Sequence, residues 1–372
     1  MFEDSVKKAQ EIMKSRGLGA IFLHPGVNTY YFTGLMKASF ERLLTVIIPD
    51  EGEPVAVIPR FEIESVMEYS KIKYRDVRGW SEDQDPYVLV GRVVEELGKS
   101  KSTIGIDGKM EYVFFEGIQR ALPGARFIGA ADVLNELRLI KSKDEVELMR
   151  KAARIVCKGI KAAFESVSPG RTEIEVSDVL HGEIRRHGGL SARAREAHGN
   201  VFSGPTSALP HPRSSEKKIE SGEIILIDVG AQYEWYFGDV TRVAVLGQPT
   251  EKQKRLYGIV LNAQKTACEA VRPGIEAQEL DRVARRIILE AGFGQYFRHR
   301  LGHGLGLEVH EGPYIVEGNR LRLRPGMTHS VEPGIYLLGE FGIRIEDDVA
   351  VTEKGCDNLS VEEFPKDELV VI

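Results

Sequence analysis

The feature that most constrains this chain is a repeat of its own sequence. "SPGRTEIEVSDVLHGEIRRHGG" (168–189) matches "RPGIEAQELDRVARRIILEAGF" (272–293) at an offset of 104 residues, with Pro169 on Pro273, Gly170 on Gly274, Val176 on Leu280, Ile184 on Ile288 and Gly188 on Gly292. In each copy a Pro-Gly turn leads into an amphipathic helix that ends at a glycine. The same offset carries the following strands, putting Gly222 on Gly326, Asp228 on Glu332 and Gly230 on Gly334, so that "GEIILIDVGAQY" aligns with "GMTHSVEPGIYL". Two copies of a helix-plus-hairpin unit, related by a pseudo-twofold axis, are expected. Two units are too few for a solenoid, which needs about three or more.

The repeat pairs carboxylates. In the first copy Asp228 closes the apolar strand "IILID", and Asp239 opens "DVTRVAVL" after the turn-like "GAQYEWYFG". In the second, Glu332 follows "THSV", and Glu346 lies 14 residues on in "GIRIEDDVAV". Each hairpin thus carries one carboxylate on each arm, and a pseudo-twofold brings all four to one point. A single Asp in a strand is ordinarily a solvent-facing or strand-end residue. Four together would repel one another and lose hydration, unless cations join them. A site rich in carboxylate oxygen suits divalent Mn, Co, Fe or Zn. Carboxylates can bridge two such ions ~3–4 Å apart, as in two-metal hydrolysis. Strand parity puts Thr241 on the face of Asp239 and Arg344 on the face of Glu346. Either can orient a ligand carboxylate, although Arg344 reads equally as an ordinary surface arginine.

"LGHGLGLEVHEGP" (301–313) holds His303 and His310 among glycines. It lacks the second histidine four residues on that a zinc-protease helix requires, the Lys-Ser/Thr of a phosphate loop, and the helix that a dinucleotide fingerprint opens. His211, in "ALPHP", lies 17 residues before Asp228, and His310 lies 22 before Glu332. The two hold loosely equivalent places and are expected to flank the site. His329 reads as a packing or surface residue. His181, His187 and His299 read as exposed helix or loop positions, and His198 is no stronger.

Residues 1–138 alternate helix and strand signals, with a helix over 3–16, a buried strand in "GAIFLHPG" and a hairpin around Asp50–Pro54. They read as an α/β domain. Residues 139–372 form the second domain. It opens on a long helix with Ser142 as N-cap and Glu145 at the capping-box position. The net charge of −6 without a basic stripe argues against nucleic acid. No apolar run reaches the ~18 residues of a membrane span, and the charged N-terminal helix is not a signal peptide. Cys157, Cys268 and Cys356 are far apart and read as reduced thiols of a cytoplasmic protein. Six Asn and nine Gln against 106 charged residues fit a thermophile.

Taken in order, "IDVGAQY…GDVTR", "GHGLGLEVHEGP", "SVEPGIY" and "GIRIEDDV" resemble the motifs of the pita-bread metallopeptidases, nearest to the Xaa-Pro dipeptidase (prolidase) and aminopeptidase P branches. "VNTYYFTG…IIPDEGEPVAVIP" resembles their creatinase-type N-terminal domain. The resemblance implies an α/β creatinase-like domain over 1–138 and an α+β pita-bread catalytic domain over 139–372. It implies a dinuclear centre held by Asp228, Asp239, His303, Glu332 and Glu346, with Asp239 and Glu346 bridging. It further implies hydrolysis of Xaa-Pro dipeptides by a metal-bridging hydroxide, with Glu332 as general base. His211 and His310 would contact substrate, and Arg344 matches the arginine two residues before the last ligand. A cytoplasmic homodimer acting on short proline-containing peptides is implied, with the N-terminal domain of one subunit bordering the other's site. The Arg193–Arg195 stretch departs from the pattern, as does Pro212, where Gly is usual. The loop that contains them carries His211, so substrate preference is the loosest implication. Release of an N-terminal residue from longer peptides is the near alternative, a non-catalytic binding scaffold the distant one. A metal-free creatinase-like hydrolase is opposed by the intact ligand set.

Overall fold

The computed structural model describes residues 2–38, 40–191, 200–209, 212–360 and 366–372. His198, His211, Arg193 and Arg195 lie outside these residues. The chain divides into two compact units, Met1–Arg138 and Leu139–Ile372.

In the first unit the elements run α1 (Phe2–Arg16), β1 (Leu18–Leu23), α2 (Val27–Thr33), β2 (Thr45–Pro49), β3 (Val55–Pro59), α3 (Ile63–Tyr69), β4 (Asp76–Trp80), α4 (Pro86–Glu96), β5 (Thr103–Ile106), α5 (Tyr112–Ala121) and β6 (Arg126–Gly129), followed by α6 (Ala131–Leu139). The strands form one six-stranded sheet in the order β4-β3-β2-β1-β5-β6. β1 and β2 are buried at every position, because helices cover both faces.

The second unit opens with α7 (Lys143–Ser166), whose Ser142–Glu145 capping box is formed. Then come α8 (Glu173–Arg186), β7 (Leu190–Ser191), β8 (Val201–Ser203), β9 (Ile224–Tyr233), β10 (Tyr236–Val245), α9 (Glu251–Ala270), α10 (Ala277–Glu290), β11 (Gly302–Gly304), β12 (Glu311–Ile315), β13 (Thr328–Val331), β14 (Gly334–Leu337), β15 (Phe341–Arg344), β16 (Asp347–Val351), β17 (Cys356–Asn358) and β18 (Val370–Val371). Two five-stranded sheets result, β18-β10-β9-β7 with β8 also on β9, and β12-β11-β13-β16-β17, beside the ribbon β14-β15.

The repeat is realised at the level of single hydrogen bonds. α8 and α10 occupy positions 104 residues apart from first residue to last. The Gly170 N–H donates to the Ile219 carbonyl as Gly274 does to Leu323, and the bridge Thr172–Lys218 recurs as Glu276–Arg322. Gly170 and Gly274 both take φ near +85°, which only glycine adopts freely. Alternation along β9 explains its run of apolar residues. Ile225, Ile227 and Val229 pack with Val156, Ile160 and Ile184 beneath α7 and α8, whereas Ile224 and Leu226 pack with Val260, Leu280 and Ile288 beneath α9 and α10.

The hairpins depart from expectation in two ways. The first is longer: β9 does not stop at Asp228 and β10 does not begin at Asp239. The turn is only Glu234–Trp235, with φ of 47° and 75°, the two-residue arrangement whose twist matches the strands. Neither residue is a usual choice at positive φ, so the sequence carries no turn signal there. The second hairpin is broken. β13 pairs with β16, but Glu332 and Glu346 fall in the gaps where the chain leaves for the separate ribbon β14-β15. Pro333 has no N–H to continue the ladder.

At Gly238 the backbone of α7 closes on β10: a Cβ there would lie 2.3 Å from Ala153 N. Gly238→Ala is therefore expected to destabilise the chain by about 1–3 kcal/mol through overpacking, read as a lower urea midpoint with an unchanged m-value.

Candidate functional site

Asp239 and Thr241 point from the same face of β10, the face that also carries Val243 and Val245 into the core. The N–H of Asp239 donates to Asp348 Oδ2 at 2.7 Å, and Thr241 forms an isolated antiparallel bridge with Glu346. The Thr241 hydroxyl donates to Glu346 Oε2 at 2.6 Å. First-copy strand and second-copy gap are thus sewn together at the carboxylates.

His303 comes from β11. Its ladder to β12 and β13 leaves no room beside it: a Cβ on Gly302 would lie 2.1 Å from the Ser330 carbonyl oxygen, and one on Gly304 would lie 2.1 Å from that of Gly312. The glycines flanking His303 therefore serve strand packing on either side. One ligand atom from each of Asp239, His303 and Glu346 falls within 4.8 Å of the others, and all three residues are buried. Glu332 Oε1 stands 3.3 Å from His303 Nε2, and Asp239 Oδ2 stands 4.0 Å from it. Asp228, partly open to the cavity, pairs with Arg344, which also donates to Tyr336 Oη at 2.6 Å and reaches Thr241 Oγ1 at 3.4 Å. The structure thus brings together Asp228, Asp239, Thr241, His303, Glu332, Arg344 and Glu346. His310 joins them, its ring 4.0 Å from that of His303 between centroids. His211 lies outside the described residues.

These groups lie in a cavity of about 600 Å³, whose apolar wall includes Phe202, Ala208, Leu209, Leu226 and Val309. His299 is the residue the sequence reading misplaced. It is not an exposed loop histidine but lines this cavity, its Nε2 2.8 Å from Tyr336 Oη. Burial, then the charge of Arg344, push it down to about 4, so it is neutral. Its Nδ1 faces the Arg300 carbonyl, leaving Nε2 to accept from Tyr336. Tyr336 itself went unread. Its signal is the ribbon register, which places it diagonally from Arg344. His329 is fully buried behind the site, as a packing residue.

The donor set fits a metal on electrostatic grounds. Burial, then His310, push His303 down to about 3. Its Nδ1 faces the Gly304 carbonyl at 3.2 Å and so carries the proton, leaving a bare Nε2 lone pair aimed at carboxylate oxygens of Glu332 and Asp239. Burial, then Asp239, Glu332 and Asp228, hold Glu346 well above the usual carboxylate range. Burial pushes Glu332 up to about 7, with Arg344 opposing. Acceptors facing acceptors at low dielectric repel unless a cation lies among them. One imidazole nitrogen and several carboxylates form the set that first-row divalent ions take. Removing the hydroxyl that holds Glu346, in Thr241→Val, is expected to weaken Mn²⁺ binding about 10–100-fold, measured by titration calorimetry of the metal-stripped protein.

Residues 147–353 match the model of metallopeptidase family M24, and residues 6–140 match the creatinase/prolidase N-terminal domain. A Xaa-Pro dipeptidase of Pyrococcus furiosus is 37% identical over 358 residues, covering 96% of this chain and 98% of the relative. The crystal structure of a dipeptidase from Pyrococcus horikoshii superposes with a TM-score of 0.89 at 35% identity, covering 99% of this chain and 100% of the other. That of dipeptidase PepE from Mycobacterium ulcerans gives 0.90 at 36%, covering 100% and 97%.

Proposed function

Because the chain belongs to metallopeptidase family M24 and carries the creatinase-type N-terminal domain of that group, we propose that it hydrolyses Xaa-Pro dipeptides. The observation that carries this reading is the bare His303 Nε2 facing carboxylates at the floor of a peptide-sized cavity. Asp228, Asp239, His303, Glu332 and Glu346 would hold two divalent ions, Mn or Co first, with Zn or Fe as alternatives. Bound there, the ions would lower the pKa of water and polarise the scissile carbonyl.

The remaining chemistry belongs to the side chains. Glu332 takes a proton from the attacking water and returns it to the departing proline nitrogen. His310 and His211 donate to the carbonyl oxygen as it gains charge. Arg344 anchors Asp228, and Thr241 anchors Glu346, so neither carboxylate is free to swing. An Xaa-Pro bond offers no N–H, so recognition rests on ring shape and on the free termini. The apolar wall of Phe202, Leu209, Leu226 and Val309 gives the ring a surface to pack on. We place the enzyme in the cytoplasm as a homodimer. Three cysteines without a disulfide support an intracellular setting, and among the described residues no helix is long and apolar enough to cross a membrane.

The test is a panel of Xaa-Pro dipeptides and Xaa-Pro-Yaa tripeptides with Mn²⁺, Co²⁺ and Zn²⁺. Dipeptide hydrolysis that is lost on chelation and restored by metal is expected, with tripeptides cleaved poorly. Asp239→Asn is expected to lose at least about a hundredfold in activity, more than an outer partner of a ligand costs. Full metal-dependent activity in that variant refutes the ligand assignment, and preferential cleavage of tripeptides refutes the dipeptidase reading.

A further inference from the structure

Glu173 is the first residue of α8, 0% exposed, and no step above uses it. Its carboxylate accepts five hydrogen bonds. Oε1 takes the N–H of Ser203 at 2.8 Å, the Ser203 hydroxyl at 2.9 Å and the Thr206 hydroxyl; Oε2 takes the N–H of Ser215 at 3.1 Å and its hydroxyl at 2.9 Å. The two oxygens therefore grip opposite ends of one segment. Between those ends lie Ser207, Ala208, Leu209 and Pro212, which form one wall of the cavity, and His211 falls in the chain between the last two. The grip continues towards the site. Ser207 Oγ accepts from the N–H of Gly342 at 2.8 Å, in the ribbon that carries Arg344, and a Cβ on Gly342 would lie 2.2 Å from the Ser207 carbonyl oxygen.

A helix start does not itself require this carboxylate. Thr172 and Glu175 already form the capping box of α8. The internal repeat supplies a built-in control: 104 residues on, the same place at the start of α10 is Ala277, which makes the equivalent backbone bond. Ala277 N–H donates to Leu321 as Glu173 N–H does to Lys217. The scaffold thus folds the same way with an alanine there, and the buried carboxyl is present in the first copy alone of the two. All five donors to that carboxyl come from Ser203, Thr206 and Ser215, in the segment that walls the cavity.

We propose that Glu173 is a positioning residue for the substrate wall made by Ser207, Ala208, Leu209 and Pro212. This rests on the peptidase reading and on His211 as a substrate contact. The carboxylate sets where the wall stands relative to the metal ligands without touching them. A displacement of such a wall by about 1 Å costs on the order of a hundredfold in rate.

The test compares wild type, Glu173→Gln, Glu173→Ala and His211→Ala, alone and combined, on an Xaa-Pro dipeptide with Mn²⁺. Glu173→Gln keeps size and replaces one accepting oxygen with an amide, so it covers the case in which the alanine variant fails to fold. Both Glu173 variants are expected to lose about 10–100-fold in kcat/KM, while the Mn²⁺ binding isotherm of the metal-stripped protein stays as in wild type. On the His211→Ala background the Glu173 changes are expected to add little, the signature of two residues acting through one segment. The proposal is overturned if Glu173→Gln keeps kcat/KM within about twofold, if Mn²⁺ affinity falls in step with activity, or if the losses are fully additive. If His211→Ala alone behaves as wild type, the role of His211 falls, and the kinetics of Glu173→Gln against its unchanged isotherm still decide the role of Glu173.

Discussion

Four carboxylates and a neutral imidazole share one buried floor, and the rest of this structure is arranged around their mutual repulsion. Each oxygen loses hydration on burial, and each neighbour adds a like charge. Arg344 is the cation that touches them, through Asp228, and Glu346 and Glu332 remain raised in spite of it. Such a floor is stable only if the surroundings hold the groups in place and a cation joins them. The surroundings do the first by direct attachment. Asp239 is tied to Asp348 through its backbone, Glu346 to Thr241 through its side chain, and His303 is wedged between strands by its flanking glycines. A second buried ionic group stands behind: Asp347 pairs with Arg242 and Lys366, and Arg242 also donates to the Glu346 carbonyl at 2.6 Å. The backbone of a proposed ligand is thereby fixed by charges that do not face the cavity.

Much of this was legible in the chain because the repeat is legible. One offset aligned helix with helix, and the structure keeps it down to the Gly170 and Gly274 turns and the paired bridges. Once two hairpins are related, Asp228, Asp239, Glu332 and Glu346 must converge, whatever each reads as alone. Thr241 was legible through strand parity, which needs only that β10 be a strand.

What stayed hidden depends on long-range register. Nothing in Glu234–Trp235 announces a two-residue turn at positive φ, so the first hairpin looked shorter than it is. Nothing in "PGIYLLGEFGIR" says that its strands leave the sheet, so Tyr336 and His299 had no reason to be linked. His299 follows a helical segment and carries no local signal. Its place is set by Tyr336, 37 residues away. The glycines around His303 are a similar case. Their partners, Ser330 and Gly312, are strand neighbours that only the assembled sheet defines.

The departures from symmetry are also where chemistry can reside. Two intact hairpins facing across a pseudo-twofold would present matching walls and matching charges. Here one hairpin runs unbroken and the other splits at Glu332–Pro333 and Ile345–Glu346. The split lets the ribbon stand apart, and that ribbon brings Arg344 and Tyr336 to the cavity. Glu173 against Ala277 is the same kind of difference, a polar group present in one copy and dispensable to the fold in the other. Symmetry gathers the carboxylates, because equivalent positions meet at the axis. It cannot by itself distinguish the side on which a peptide enters from the side that is packed. That distinction requires groups that the two copies do not share, and in this chain Arg344, Tyr336 and Glu173 are such groups.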